Sequence, residues 1–528
     1  MEVAVSSQLS QFTCHLLTIK AVKEMKTRPT PRIGVSTDIS FADSRTAIAV
    51  CVTSEFLTAH IFNQDRFSQV RELLASGGFK ADEGELMVVS TIDPATGKPY
   101  VLILVGVGKK HELMRASIRE AAASAVREAR KHHTRELYFC WCDEADEASN
   151  AMFFAQGAVL GLYENALYQE AEDASEIKSI DFLTSTDARS LSEAISTGKT
   201  IAESMNWARE LADEPGGSLP PREFSRRASA MAVDLGLTVE SLAADQIRAM
   251  GMGGLWGVGK GSNEEPALIV VRYEPENSDG KPDSDDLLAF VGKGITFDTG
   301  GISIKPAKGM EEMKSDMAGG AAALGAIRAI SQLRPGKRIV AIVPSAENMP
   351  SGRALKPGDI IKTLAGFTVE AVDTDAEGRL VLIDGIAYAK RLGATRIVDL
   401  ATLTGSVIVA LGDLYTGLFS NNDMWAESVK AAARLAGERV WRMPVGDDYK
   451  KLIESSIADF KNYGGRPDAT GAALLLSKFA GETPWVHLDI AGTSWLEHET
   501  PYSPAGATGA GIPTLVELAC SKKKNSSS

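Results

Sequence analysis

From about residue 34 to 180, apolar runs alternate with polar and helical stretches. The segments 46–52, 86–89, 100–107 and 136–140 are short and rich in Val, Leu, Ile and aromatic residues, a strand pattern. Segment 116–131, dominated by Ala, Arg and Glu, predicts a helix between two of them. A further helix is predicted over 195–213, stopped by Glu-Pro-Gly-Gly and then Pro220-Pro221. The polar stretch 274–286 reads as a loop, and after it the alternation becomes regular. Strands are predicted at 287–291, 338–343, 368–372, 396–400 and 486–490, with intervening helices at 321–333, 380–391 and 425–435. Strands apolar on both faces, alternating with helices, predict a mostly parallel sheet covered on both sides. The chain thus reads as an α/β protein. A flexible extension (1–33) precedes a smaller N-terminal α/β domain (34–185), which a helix joins to a larger C-terminal α/β domain (190–520), with a solvated tail at 521–528.

Composition agrees with this picture. The chain is 44% apolar and 24% charged, and its 528 residues suit two to four domains at roughly 100–200 residues each. The net charge of −13 argues against an extended nucleic-acid surface. The five cysteines (14, 51, 140, 142 and 520) are odd in number and scattered, unlike a secreted disulfide framework, so the expected location is the cytoplasm. Cys140 and Cys142, too close for Cys-x-x-Cys, read as small buried residues. No apolar run approaches the ~20 residues of a membrane helix. The basic stretch 1–32 reads as a tail, with an organelle transit segment as the alternative.

Ligands of open α/β sheets bind beyond the carboxyl ends of the strands. Lys293 and Asp298 follow the strand at 287–291; Asp373, Asp375, Glu377 and Arg379 follow the one at 368–372. Asp316 precedes a small-residue helix. Clustered carboxylates repel one another unless a cation neutralises them, and several acids suit two ions that share ligands. Only His487 and His498 lie beyond residue 134 and no cysteine lies between 142 and 520, which excludes a His-Glu-x-x-His zinc site and a Cys–His nucleophile here. The segment 254–260 imitates the start of a phosphate-binding loop. Gly261 stands where the magnesium-binding hydroxyl belongs, and a strand rather than a helix follows, so a nucleotide-hydrolysing role is rejected. His487 reads as a hydrogen-bonded core residue.

Several segments closely resemble the leucyl aminopeptidase family: Val-Gly-Lys-Gly-Ile-Thr-Phe-Asp-Thr-Gly-Gly-Ile-Ser-Ile-Lys (291–305), Lys-Ser-Asp-Met-Ala-Gly-Gly-Ala (314–321), Ala-Glu-Asn-Met-Pro-Ser-Gly (346–352), Thr-Asp-Ala-Glu-Gly-Arg-Leu (374–380) and Ala-Thr-Leu-Thr-Gly (401–405). The resemblance spans about 190–519; the N-terminal domain is similar only in size and layout, a macro-like fold. It implies a two-metal peptidase that releases N-terminal residues, preferring leucine and other apolar side chains. The ions would be Zn²⁺ or Mn²⁺, with Mg²⁺ or Co²⁺ as substitutes. Asp298 and Glu377 would bridge them, Asp375 would complete one shell, and Lys293 and Asp316 the other. A shared water would be acidified to hydroxide, and Lys305 would stabilise the oxyanion. Arg379, always protonated, would hold a bicarbonate proton shuttle, or else pair with a nearby acid. Met313, Thr402, Leu403, Gly405 and Ala491 would line the first-residue pocket. The resemblance also implies peptide substrates and a homohexamer. One departure is Asp373, where the family usually has Asn. Competing readings are a two-metal phosphoester hydrolase and a nucleic-acid-binding role.

Overall fold

In the computed structural model, residues 30–41, 45–55, 77–141, 146–169, 177–184, 188–275 and 286–521 are described. The predicted extension up to residue 29, the tail beyond 521, most of the predicted loop 274–286, Cys14 and Cys142 lie outside them.

The first sheet contains β1 (Arg32–Ser36), β2 (Thr46–Val52), β3 (Leu86–Ile92), β4 (Pro99–Gly106), β5 (Glu136–Cys140) and β6 (Ser179–Leu183), in the order β1-β6-β5-β2-β4-β3. All neighbours are parallel except β3 and β4. Every residue of β2 is buried, as a central strand covered on both faces requires. Helices Arg115–Lys131 and Glu147–Leu160 cover one face.

Later strands include β7 (Thr238–Leu242), β8 (Ala267–Tyr273), β9 (Leu287–Gly292), β10 (Gly294–Asp298), β11 (Arg338–Asn348), β12 (Asp359–Lys362), β13 (Thr368–Ala371), β14 (Arg396–Ala401), β15 (Thr416–Ser420), β16 (Val440–Arg442), β17 (Phe460–Lys461) and β18 (Trp485–Asp489). A nine-stranded sheet runs β16-β15-β18-β14-β9-β11-β8-β7, with β10 also on β11. Its centre, β18-β14-β9-β11, is parallel. Side chains of β11 alternate between two cores. Ile339, Ala341 and Val343 pack with helix Ala318–Leu333; Val340 and Ile342 pack with helices Gly253–Gly259 and Gly378–Arg391. The sheet is therefore covered on both sides, as the sequence predicts. Two domains of mixed α/β structure result.

Helix Ala188–Asp213 joins the two halves, packing on helix Glu147–Leu160 at one side and helix Ala318–Leu333 at the other. It starts before the predicted residue 195.

Two expectations need correction. The predicted strand 368–372 is not in the main sheet: β13 pairs with β12 and β17 in a separate three-stranded sheet. Cys140 is half-buried rather than buried. The glycine-rich segment near 254 is helix Gly253–Gly259, where a Cβ on Gly254 would lie 2.0 Å from the Leu380 carbonyl oxygen. Its glycines serve close helix packing. Among the described residues, no helix is long and apolar enough to cross a membrane.

Candidate metal centre

Five elements deliver the predicted polar residues to one place. Lys293 leaves the end of β9 and Asp298 closes β10; Asp316 follows a 3₁₀ turn, Met310–Ser315, just before helix Ala318–Leu333. Asp375 and Glu377 occupy the turn between β13 and helix Gly378–Arg391. Thr402 follows β14. Thus most of the site lies beyond the carboxyl ends of main-sheet strands, while the 373–377 turn arrives from the small sheet.

The Lys293 ammonium lies 2.7 Å from Asp316 Oδ2 and 2.7 Å from Glu377 Oε1. It also donates to the Thr402 carbonyl oxygen at 3.1 Å. Lys305 lies 2.8 Å from Asp298 Oδ2 and contacts Asp375 Oδ1. Asp298, Asp375 and Glu377 each bring a carboxylate oxygen within 4.8 Å of the others. Lys293, Asp298, Asp316 and Glu377 are buried; Asp375 is half-buried.

Burial alone would depress Lys293, but the carboxylates of Asp316, Glu377 and Asp298 outweigh it and hold the ammonium above its usual range. The same competition, led by Asp298, raises Lys305. Burial, reinforced by Asp298, pushes Glu377 upward, and burial likewise raises Asp316 and Asp375. Protons and two lysine heads therefore neutralise this acid cluster.

That neutralisation is incomplete in geometry. Glu377 Oε2 is buried without a hydrogen-bond partner, and Asp316 Oδ2 and Asp375 Oδ1 face an ammonium without an aligned hydrogen bond. Buried acceptors left open are costly unless a cation can use them. Hard divalent cations favour oxygen-rich donor sets of this kind, so these residues fit the metals that the sequence implies.

Residues to which the sequence assigns no role hold the acids in place: Asn348, inside the family-like segment 346–352, and Asn462, outside every such segment. Asn348 donates to Asp298 Oδ1 at 2.8 Å and to the Thr374 carbonyl at 3.0 Å. Asn462, after β17, accepts from the backbone N–H groups of Val372 (2.8 Å) and Asp373 (3.3 Å) and donates to the carbonyls of Asp373 and Ala376. Asp373 Oδ1 accepts the Asp375 N–H at 2.9 Å. An Asn oxygen could do the same, so the turn tolerates either residue, but Asp373 adds negative charge that helps raise Asp375.

Arg379 is buried and pairs with an acid that the sequence did not single out: its Nη2 lies 2.9 Å from Asp468 Oδ1 and its Nη1 donates to the Asn462 carbonyl. Its Nε has no hydrogen-bond partner. His487 is a core residue, as expected, with Nδ1 2.6 Å from Asp399 Oδ1.

Of the predicted pocket residues, Thr402 is most firmly tied to the cluster, its hydroxyl donating to Asp316 Oδ1 at 2.7 Å. Leu403 approaches Gly378, where an added Cβ would lie 2.9 Å from Leu403 Cδ1 and 2.7 Å from Lys293 Cε. Met313 and Ala491 are half-buried, Met313 on the turn before Asp316 and Ala491 just past β18. Gly405 is exposed, with open space where its Cβ would be.

A buried cluster of acids and lysines beside the strand ends of a doubly covered sheet is a donor set that could hold divalent cations. The family models narrow this reading. Residues 206–516 match the catalytic domain of the cytosol aminopeptidase family, and residues 54–172 match its N-terminal domain. The chain belongs to the cytosol aminopeptidase family. The N-terminal match exceeds the likeness in size and layout read from the sequence. A probable cytosol aminopeptidase of Solibacter usitatus is 45% identical over 85% of this chain and 92% of its own length. Another, from Nostoc punctiforme, is 41% identical over 90% of this chain and 96% of its own. Among solved structures, a mutant form of tomato leucine aminopeptidase has a TM-score of 0.83 at 29% identity, over 94% of this chain and 97% of that one. The bottromycin maturation enzyme BotP in complex with Mn has a TM-score of 0.77 at 33% identity, covering 90% and 98%.

Proposed function

We propose that this aminopeptidase releases leucine and other apolar residues from peptide N-termini, using two divalent cations held by Lys293, Asp298, Asp316, Asp375 and Glu377. The observation that carries the reading is the convergence of Asp298, Asp375 and Glu377, with carboxylate oxygens within 4.8 Å of one another, together with a buried Glu377 Oε2 that has no hydrogen-bond partner. Asp298 and Glu377 would be shared between the ions, with Asp375 completing the ligands of one and Lys293 and Asp316 those of the other. Zn²⁺ or Mn²⁺, or Mg²⁺ or Co²⁺ in their place, would supply Lewis acidity and an activated bridging water. The manganese complex of BotP, a protein of the same overall fold, supports that choice.

The chain's own residues then do the following. Lys293 gives up its proton to act as a ligand. Asp316, backed by the Thr402 hydroxyl, orients the free α-amino group of the substrate. Lys305, freed from pairing with Asp298 and Asp375, offers its ammonium to the developing oxyanion. Arg379 keeps one face paired with Asp468, and its unpartnered Nε–H would hold a bicarbonate, which would supply a proton relay. Met313, Thr402, Leu403, Gly405 and Ala491 receive the first side chain. A pocket of this kind separates neighbouring apolar residues by only about 1–3 kcal/mol per methylene, so specificity is broad.

The same reading takes 34–185 and 190–520 as the two folding units, supported by their separate sheets and the shared helix Ala188–Asp213. It places the enzyme in the cytoplasm, as the relatives' names suggest. A homohexamer is supported by exposed apolar residues on and after helix Gly405–Leu411 and nearby: Ile408, Val409, Leu414, Tyr415 and Trp441.

The test is metal stripping and reconstitution with Mn²⁺ or Zn²⁺, assayed on a leucyl amide and an aryl phosphate, with Asp375→Ala alongside. Leucyl hydrolysis should vanish on stripping, return on reconstitution and be lost in the variant. Undiminished hydrolysis by stripped or mutant enzyme, or phosphatase activity alone, overturns the proposal.

A further inference from the structure

Asp489 ends β18, is 1% exposed, and is absent from the residues so far given roles at the site. Its Oδ1 accepts two backbone N–H groups, from Leu403 at 3.2 Å and Ala491 at 3.3 Å. Its Oδ2 accepts the Thr404 hydroxyl at 2.7 Å, and that hydroxyl caps helix Gly405–Leu411 by accepting the Val407 N–H. One carboxylate therefore grips both loops that carry pocket residues, one after β14 and one after β18. Between its grip on Leu403 and the metal centre stands Thr402, whose carbonyl meets Lys293 and whose hydroxyl meets Asp316.

We infer that Asp489 is a positioning residue that sets the width of the first-residue pocket by clamping the 402–405 and 490–491 loops together. The inference rests on the aminopeptidase reading above and deepens it. An Asn amide replaces the clamp only in part: its Oδ1 can keep the two N–H groups and its Nδ2–H can donate to Thr404 Oγ1, but the Thr404 hydroxyl hydrogen then loses its acceptor. A buried donor without an acceptor drives the loop to relax. The pocket should then fit leucine less closely, while alanine, which fills little of it, is nearly indifferent.

The experiment compares kcat/KM for leucyl and alanyl amides in the wild-type holoenzyme, Asp489→Asn, Thr404→Val and Thr404→Ser. The leucyl-to-alanyl ratio is independent of how much enzyme is folded, so a merely structural role leaves it unchanged. The expected result is a fall of about tenfold in that ratio for Asp489→Asn, the scale on which apolar pockets discriminate. A smaller fall is expected for Thr404→Val, and none for Thr404→Ser, which keeps the hydroxyl. Should Asp489→Asn fail to fold, the two Thr404 variants decide alone. An unchanged ratio in Asp489→Asn and Thr404→Val, with wild-type enzyme cleaving both amides, overturns the inference and leaves the peptidase reading intact. Wild-type enzyme that cleaves neither amide overturns that reading and the inference with it.

Discussion

The ammonium of Lys293 lies 2.7 Å from Glu377 Oε1, a buried contact that a metal ion binding to these side chains must break. Burial and the nearby Asp298 push Glu377 up to about 8, and burial pushes Asp316 up to about 6. Because protonated groups predominate below these values, metal affinity should rise as pH climbs from about 6 to 8. Mn²⁺ uptake at pH 7 should release about one proton or more per chain. Calorimetric titration in buffers of different ionisation enthalpy measures the release directly; uptake without proton release contradicts the assignment of Lys293 as a ligand.

Gly378 leaves room for Lys293. A methyl group there would sit 2.7 Å from Cε and 2.8 Å from Nζ, closer than nonbonded atoms tolerate. Gly378→Ala should therefore displace the lysine from Asp316 and Glu377 and lower kcat/KM by about 100-fold, the usual effect of misplacing a catalytic group by an ångström. Thermal stability should also fall, by about 1–3 kcal/mol, because the buried methyl would overpack against Lys293 and, at 2.9 Å, Leu403 Cδ1. Full activity in the variant would show that Lys293 needs no fixed position.

Asn462 makes four hydrogen bonds to the backbone that carries Asp375 and Glu377. Asn462→Ala is expected to weaken metal binding by about 10–100-fold, the range found for partners behind metal ligands. It should also lower stability by about 2–4 kcal/mol through the stranded N–H and C=O groups. Metal titration monitored by activity, together with denaturant unfolding, tests both effects.

Asp468→Asn removes the carboxylate that competes for Arg379. The buried guanidinium should then depend more on an added anion. Bicarbonate is expected to raise the melting temperature of the variant more than that of the wild type, and activity should saturate at lower bicarbonate. Equal responses in both proteins would argue that Arg379 holds no anion.

Much of this was legible in the sequence where signals were local. β2 reads as a buried strand because all seven of its residues are apolar or small and lie inside. Lys293, Asp298, Asp375 and Glu377 stand out through their settings after apolar strands, and Asp316 through its place before a small-residue helix; the structure gathers all five. What escaped depended on contacts between distant segments. The pairing of β13 with β12 and β17 cannot be read from Thr-Val-Glu-Ala, whose pattern fits any sheet. Asn462 lies 86 residues from Ala376, to which it bonds, and Asp468 lies beyond it, so neither looked different from an ordinary loop or helix-start residue. Asp489 was hidden for the same reason: a carboxylate that receives backbone N–H groups from another strand's loop has no signature in its own segment.

Helix Ala188–Asp213 ends in a knot that ties the two halves together. The Tyr163 hydroxyl, from the N-terminal half, donates to Asp213 Oδ2 at 2.5 Å beneath the Arg209 guanidinium, and the Asp213 carbonyl accepts from Lys314 at 2.7 Å. Lys314 shares its turn with Met313 and stands two residues before Asp316. The smaller half is thus wired to the floor of the reaction chamber, and severing it would take the Tyr163 hydroxyl away from the buried Asp213 carboxylate at the chamber's edge. A catalytic half produced by itself should consequently be poorly active even where its own sheet folds intact.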